Sequence, residues 1–138
     1  MDATTVDNAC LIKIGDGVTG NLSIALQSGM IPFAAKSIFC IYGVPAGRKR
    51  GEHAHERLHE FILAVKGGVT IRLFDGERRA VYRLDNPACG LYIPAGLWLE
   101  LEDFTADAVC VVLASEKYEE TDYIRLLKDF TNMKTKKV

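Results

Sequence analysis

Short apolar runs, most of them alternating with polar residues, recur along this chain between glycine, proline, aspartate and asparagine punctuation. A two-residue period bounded by turn residues predicts β-strands. The runs fall at 9–14, 20–27, 37–43, 60–66, 69–74, 79–84, 90–93, 97–102 and 108–114. Asp75-Gly76 separates two of them and predicts a hairpin with a type I′ turn, which needs positive φ at both central residues. Lys66-Gly67-Gly68 and Asp85-Asn86-Pro87 predict further turns. One stretch changes period. Tyr123, Leu126, Leu127 and Phe130 follow i, i+3, i+4, i+7, so the pattern predicts an amphipathic helix over about 119–131, capped by Thr121 or Asp122, with 132–138 as a frayed tail. Many strands and one terminal helix imply an all-β barrel or sandwich with an added helix, in a single domain over 1–138 whose barrel spans about 8–115.

Composition narrows the class without naming a function. A chain of 138 residues, 49% apolar and 25% charged, is long enough for a substantial core. Its formal net charge of −1 argues against nucleic acid or a membrane surface as a general partner. The basic spots are local: Arg48-Lys49-Arg50, and Lys134, Lys136 and Lys137 near the end. There is no apolar run long enough for a transmembrane helix, and the acidic start Met1-Asp2-Ala3-Thr4-Thr5-Val6-Asp7 has no signal-peptide core. The expected compartment is the cytoplasm. Cys10, Cys40, Cys89 and Cys110 form no CxxC pair and are expected to be buried free thiols.

The chemistry concentrates in one window. All three histidines, His53, His55 and His59, lie within seven residues. On a strand, residues i and i+2 point the same way, so His53 and His55 aim into one space, with Arg48 and Arg50 just upstream. Gly47, His53, His55, Glu60 and Gly67 stand at the offsets of the first cupin motif. A turn between His55 and Glu60 lets all three polar side chains face a barrel interior. The second cupin motif, Pro-x-Gly-x-x-His, ends differently here: Pro94-Ala95-Gly96-Leu97-Trp98 is followed by Leu99. The fourth ligand of a three-histidine, one-carboxylate metal site is therefore missing. Two chemistries stay open. His53, His55 and Glu60 suffice for a facial triad on iron. Alternatively the imidazoles act as organic acid and base, which suits histidine near neutral pH. Each residue also has a plainer role. His59 matches no motif position and is expected to be structural or partly exposed. Arg48-Lys49-Arg50 reads as a solvated loop or as a phosphate clamp. Trp98 reads as core packing or as a stacking surface for a ligand. Glu60 reads as a pocket carboxylate or a turn residue.

From about Asp16 to Phe130 the chain resembles the cupin-type dTDP-4-oxo-6-deoxyglucose 3,4-ketoisomerases, also called WxcM-like proteins. The resemblance rests on Ile31-Pro32-Phe33, Arg50-Gly51-Glu52-His53-Ala54-His55, Gly90-Leu91-Tyr92-Ile93-Pro94 with Trp98, and Val112-Leu113-Ala114-Ser115 followed by Thr121-Asp122-Tyr123-Ile124-Arg125. It implies a homodimeric jelly roll, a double-stranded β-helix, that binds a dTDP-linked 4-keto-6-deoxyhexose and needs neither metal nor cofactor. The family's reaction moves the ketone from C4 to C3, ahead of a transaminase that makes a 3-amino-deoxysugar for surface polysaccharide such as lipopolysaccharide O-antigen. On these positions it implies His53 as base and His55 as partner acid/base. Arg48 and Arg50 become candidates for the diphosphate, Tyr42 or Tyr92 for the sugar, Trp98 for nucleotide or sugar, and Glu60 for the pocket wall. The chain departs from the family pattern at Thr19, Ser37, Cys40 and Leu99. Those departures motivate two alternatives: a cupin that binds a nucleotide sugar without chemistry, and a metal-dependent cupin enzyme using His53, His55 and Glu60.

Overall fold

The structure, a computed structural model, describes residues 4–15 and 29–135. Among the described residues, ten strands form two antiparallel five-stranded sheets. They are β1 (Cys10–Lys13), β2 (Ser37–Tyr42), β3 (Arg50–His55), β4 (Glu60–Lys66), β5 (Val69–Phe74), β6 (Arg79–Leu84), β7 (Cys89–Ile93), β8 (Trp98–Glu102), β9 (Val109–Ala114) and β10 (Tyr123–Ile124), followed by helix α1 (Leu127–Thr135). One sheet has the order β1-β7-β4-β9-β2 and the other β10-β3-β8-β5-β6. The all-β jelly roll with a C-terminal helix is thus the architecture found.

The core lies between the sheets. Ile62, Ala64, Leu91, Ile93, Cys110 and Val112 of the first sheet meet Val69, Ile71, Leu73, Leu99 and Leu101 of the second. Their alternation along each strand puts every second side chain in this layer. Burying one such Leu or Ile contributes roughly 1.5–3 kcal/mol relative to exposure. The first sheet is also covered outside, where Phe61, Leu63 and Leu113 pack with Ile14 and Ile31. Gly90 serves this layer, because a Cβ there would come within 2.3 Å of the Phe61 ring. The outer face of the second sheet is covered by α1, whose Phe130 is buried against Ala54, Trp98 and Ile124.

Several sequence expectations shift. The run at 20–27 lies outside the described residues. The hairpin at Asp75-Gly76 forms, but not through a type I′ turn. Only Gly76 has positive φ there, at +104°, and the Asp75 carboxylate accepts the backbone N–H groups of Glu77 (2.9 Å) and Arg78 (2.8 Å) in a four-residue loop. The helix expected over 119–131 starts only at Leu127 and runs to Thr135, so 132–135 are helical rather than a frayed tail. Tyr123 and Ile124 pair instead with His55 and Ala54 as a strand. Pairing with a buried neighbour outweighs a helical period of four positions, two of which, Leu126 and Leu127, remain 56% and 43% exposed. The cysteines are not uniformly buried: Cys110 is, Cys89 is half-buried, and Cys10 and Cys40 are exposed on the two edge strands. Edge strands leave one side of their residues without neighbours, which an apolar run does not reveal.

Candidate active site

Strand β3 builds the site around a β-bulge. Gly51 pairs with Glu100, and His53, two residues on, with the adjacent Leu99, so one extra residue is inserted. Gly51 and Glu52 both take positive φ, +83° and +54°. A Cβ at Gly51 would press on the Leu99 carbonyl at 3.1 Å and Leu101 Cδ1 at 3.0 Å, so glycine is required at this approach. The bulge has a functional consequence. Arg50 pairs with the inward-facing Leu101 and His53 with the inward-facing Leu99. Without the extra residue, Arg50 and His53 would lie on opposite faces of the strand.

His53 and His55 then converge, with ring centroids 4.7 Å apart and edge to face. Tyr123 of β10 closes the group, its ring 4.9 Å from His53 and 4.3 Å from His55. The Arg125 guanidinium lies 4.3 Å over the Tyr123 ring and pairs with Glu120, which also accepts from the Tyr118 hydroxyl. Glu60 enters from β4 in the opposite sheet, with Oε1 3.8 Å from His55 Nε2. Asp122 reaches His55 Nδ1 at 3.3 Å from the other side.

Burial sets the electrostatics. His53 is held below the ordinary histidine range chiefly by burial, although a hydrogen bond with the Gly51 backbone opposes this, as a ring N–H donated to a carbonyl would. His55 is pushed down to about 4 by burial and by its His53 neighbour, against the pull of Asp122. Burial, with Asp122 nearby, pushes Glu60 up to about 7. At neutral pH both imidazoles are therefore bases, and Glu60 is near its midpoint. Burial also raises the Tyr123 phenol, which keeps its proton. Three of these buried atoms, His53 Nε2, His55 Nε2 and Glu60 Oε1, have no hydrogen-bond partner. Buried polar atoms are nearly always paired, so an unpaired trio is a place prepared for something else.

Among the described residues, these same three side chains offer donor atoms within 4.8 Å of one another and could hold a metal ion. Leu99, 1% exposed and paired with His53, stands where a fourth protein ligand would be. The donor set thus fits a three-ligand site and no more.

The other candidate residues divide clearly. Arg50 and Lys49 line a cavity of about 320 Å³ with His53, Tyr123 and Arg125. The same two residues line an adjoining cleft of about 580 Å³ with Tyr42, Arg48 and Cys40. Arg50 thus borders His53 directly, whereas Arg48 and Tyr42 line only the adjoining cleft, and Tyr42, one residue from the core-facing Ile41, is 73% exposed. Tyr92 and Trp98 do not join them. Tyr92 is on the far face of its sheet, packed beside Phe61, and its hydroxyl bonds His59 Nδ1 at 3.0 Å. His59 also accepts the Ala95 N–H at 3.2 Å, which gives it a structural place outside the pocket. Trp98 is 5% exposed beneath α1, and its Nε1–H donates to Glu100 at 3.1 Å. Strand parity explains both: each is one residue from an inward position, Ile93 and Leu99. Of the departures, Ser37 donates to the Glu116 carbonyl at 2.7 Å, and Thr19 lies outside the described residues.

Sequence reasoning gave no chemical role to Asp122 and Tyr123. Reading that stretch as helix turned them into a cap and an apolar stripe. The signal available was their place in the Thr121-Asp122-Tyr123-Ile124-Arg125 block.

Comparison with known proteins bears on what such a pocket does. The pattern of the FdtA family (WxcM-like, C-terminal) matches residues 5–135. A TDP-4-oxo-6-deoxy-α-D-glucose-3,4-oxoisomerase from Aneurinibacillus thermoaerophilus is 38% identical over 111 residues, covering 80% of each chain. The solved structure of QdtA, a sugar 3,4-ketoisomerase from Thermoanaerobacterium thermosaccharolyticum in complex with TDP, superposes with a TM-score of 0.89 and 36% identity, over 96% of this chain and 98% of that one. A variant of that enzyme with a histidine replaced by asparagine, in complex with TDP-4-keto-6-deoxyglucose, gives a TM-score of 0.89 and 35% identity, over 96% and 97%.

Proposed function

The chain belongs to the FdtA (WxcM-like, C-terminal) family, and from this premise we propose that it is a sugar-nucleotide 3,4-ketoisomerase acting on a TDP-linked 4-keto-6-deoxyhexose. The observation that carries the reading is the buried, unpartnered imidazole pair, whose His53 lines a cavity with Lys49, Arg50 and Arg125. A hydrogen α to a ketone is acidified but still needs a placed base. His53 Nε2 takes the C3 proton, giving an enediolate between C3 and C4. The C4 oxygen gains a proton, the C3 hydroxyl loses one, and C4 receives the proton on carbon. Atoms balance, and the product is the 3-keto isomer. His55 is the second acid/base group. A base within hydrogen-bond reach contributes typically ~10²–10⁴-fold.

Arg48 and Arg50 suit the diphosphate, since guanidinium forks bind phosphate oxygens in pairs. Tyr42 borders the same cleft and is assigned to the sugar nucleotide. Glu60 forms the pocket floor. Tyr92 and Trp98 are assigned to packing. The exposed edge strand β2, with Ile38 58% and Tyr42 73% exposed, suits a homodimer. Among the described residues no helix is long and apolar enough to cross a membrane. The cytoplasm, where sugar nucleotides are made, is the assigned compartment, and an aminotransferase is the class of enzyme to consume a 3-keto product.

Proton NMR of purified protein with TDP-4-keto-6-deoxyglucose, with and without EDTA, tests this. Formation of the 3-keto isomer in both samples supports it. No product, or product that disappears with EDTA and returns with added metal, overturns it; the second outcome assigns His53, His55 and Glu60 to a metal.

A further inference from the structure

Asp122 lies in the chain 67 residues after His55, yet it is only 4% exposed and its carboxylate bonds His55 and the β3–β4 turn. Oδ1 accepts the Arg57 N–H at 2.8 Å, and Oδ2 accepts the Leu58 N–H at 3.2 Å. Its own carbonyl accepts the Glu56 N–H at 3.0 Å. Three backbone bonds therefore fix where Oδ2 sits, and Oδ2 is the atom 3.3 Å from His55 Nδ1. A carboxylate held by two N–H donors is an acceptor, so the hydrogen between it and the imidazole belongs to Nδ1. A neutral imidazole carries one N–H. The other nitrogen, Nε2, then presents its lone pair, and this is the atom that has no partner and faces Glu60.

Resting on the ketoisomerase reading, we propose that Asp122 is a positioning residue: it fixes His55 as the Nδ1–H tautomer, so that Nε2 takes a proton inside the pocket, with the Glu60 carboxyl 3.8 Å away. The division of labour follows. His53 serves the carbon-bound proton, and the His55–Glu60 pair serves the hydroxyl protons exchanged between O3 and O4. The raised affinity of Glu60 for its proton fits that part, since a carboxyl near its midpoint both gives and receives at neutral pH. Glu60 acts through His55. The short strand β10 and helix α1 are the brace that keeps the Asp122 carboxylate on the turn.

The test has two arms. A long-range ¹H–¹⁵N spectrum of unliganded, ¹⁵N-histidine-labelled protein at pH 7, with His55 assigned by loss of its signals in His55→Asn, reads the tautomer directly. The expected result is a protonated Nδ1 and a bare Nε2; a proton on Nε2 overturns the proposal, whether or not Asp122→Asn folds. In the second arm, Asp122→Asn is expected to lower kcat about 100-fold while TDP binding stays within about twofold, and to shift His55 towards the other tautomer. A folded Asp122→Asn protein with wild-type kcat also overturns it. The spectrum needs no substrate, so an inactive wild-type chain counts against the ketoisomerase reading, and a wrong tautomer counts against this one.

Discussion

Strands β3, β8 and β10 carry two opposite kinds of surface on their two faces. Outward, Ala54, Trp98 and Ile124 meet Phe130 in a dry apolar plug whose polar tip, the Trp98 indole N–H, is satisfied by Glu100. Inward, their immediate neighbours His53, Leu99, His55 and Tyr123 surround buried nitrogens that bond to nothing. One residue along the chain separates a side chain optimised for packing from one left unsatisfied. The lesson is a division of tasks. The plug stabilises β10, and β10 brings Asp122 and Tyr123 to the histidines.

The comparison breaks most sharply at His53. Replacing it with Asn is expected to lower kcat by roughly 10²–10⁴-fold while thermal stability and TDP affinity hardly change, which steady-state kinetics and titration calorimetry check. Retained turnover would return His53 to the class of ordinary buried residues. On the other face the effect is one of stability. Phe130→Ala is expected to cost about 3–5 kcal/mol in urea unfolding, because it empties the centre of the plug. Activity at low temperature should fall with it as β10 loosens.

Glu60 gives the next effect, and its sign depends on pH. Its carboxyl is raised from 4.5 to about 7 by burial, so the folded chain holds a proton that the unfolded chain releases between those values. Stability from this group is therefore lost as pH rises from 4.5 towards 7, by about 3 kcal/mol in total. His55, lowered from 6.5 to about 4, works in the opposite direction: its unfolded form binds the extra proton, so its share is lost as pH falls through that range. The two slopes offset each other in the wild type. Glu60→Gln is expected to uncover the His55 slope alone and to gain stability relative to wild type as pH rises from 5 to 8, measured by urea midpoints. A difference that stays constant with pH would contradict the raised carboxyl. The smallest effect belongs to Trp98→Phe. It removes one hydrogen bond, worth about 1 kcal/mol, and leaves TDP affinity and kcat unchanged. A tenfold loss of TDP affinity would place Trp98 in the binding site after all.

Much of this was legible in the sequence. The His53-Ala54-His55 spacing, the glutamate at 60 and the strand runs on either side lead directly to a barrel with an inward polar group. Tyr92 and Trp98 were harder because strand period is two: a register error of one residue moves a side chain to the opposite face, and aromatics suit either face. Arg50 illustrates the converse. Three residues before His53, it belongs on the opposite face of a regular strand, and only the bulge at Gly51 and Glu52 brings it inward. Asp122 was hidden for another reason: its partners lie in a turn some sixty residues earlier, and local pattern reports nothing of such contacts.

If the inward face moves protons on carbon, solvent hydrogen enters the sugar at C3 and C4. Incubation with TDP-4-keto-6-deoxyglucose in D₂O, followed by proton NMR of recovered substrate and product, tests it most directly. Deuterium is expected at C3 of the substrate and at C4 of the 3-keto product, with none of either in His53→Asn. Exchange that persists undiminished in His53→Asn, or a wild-type chain that leaves both carbons protonated, would contradict it.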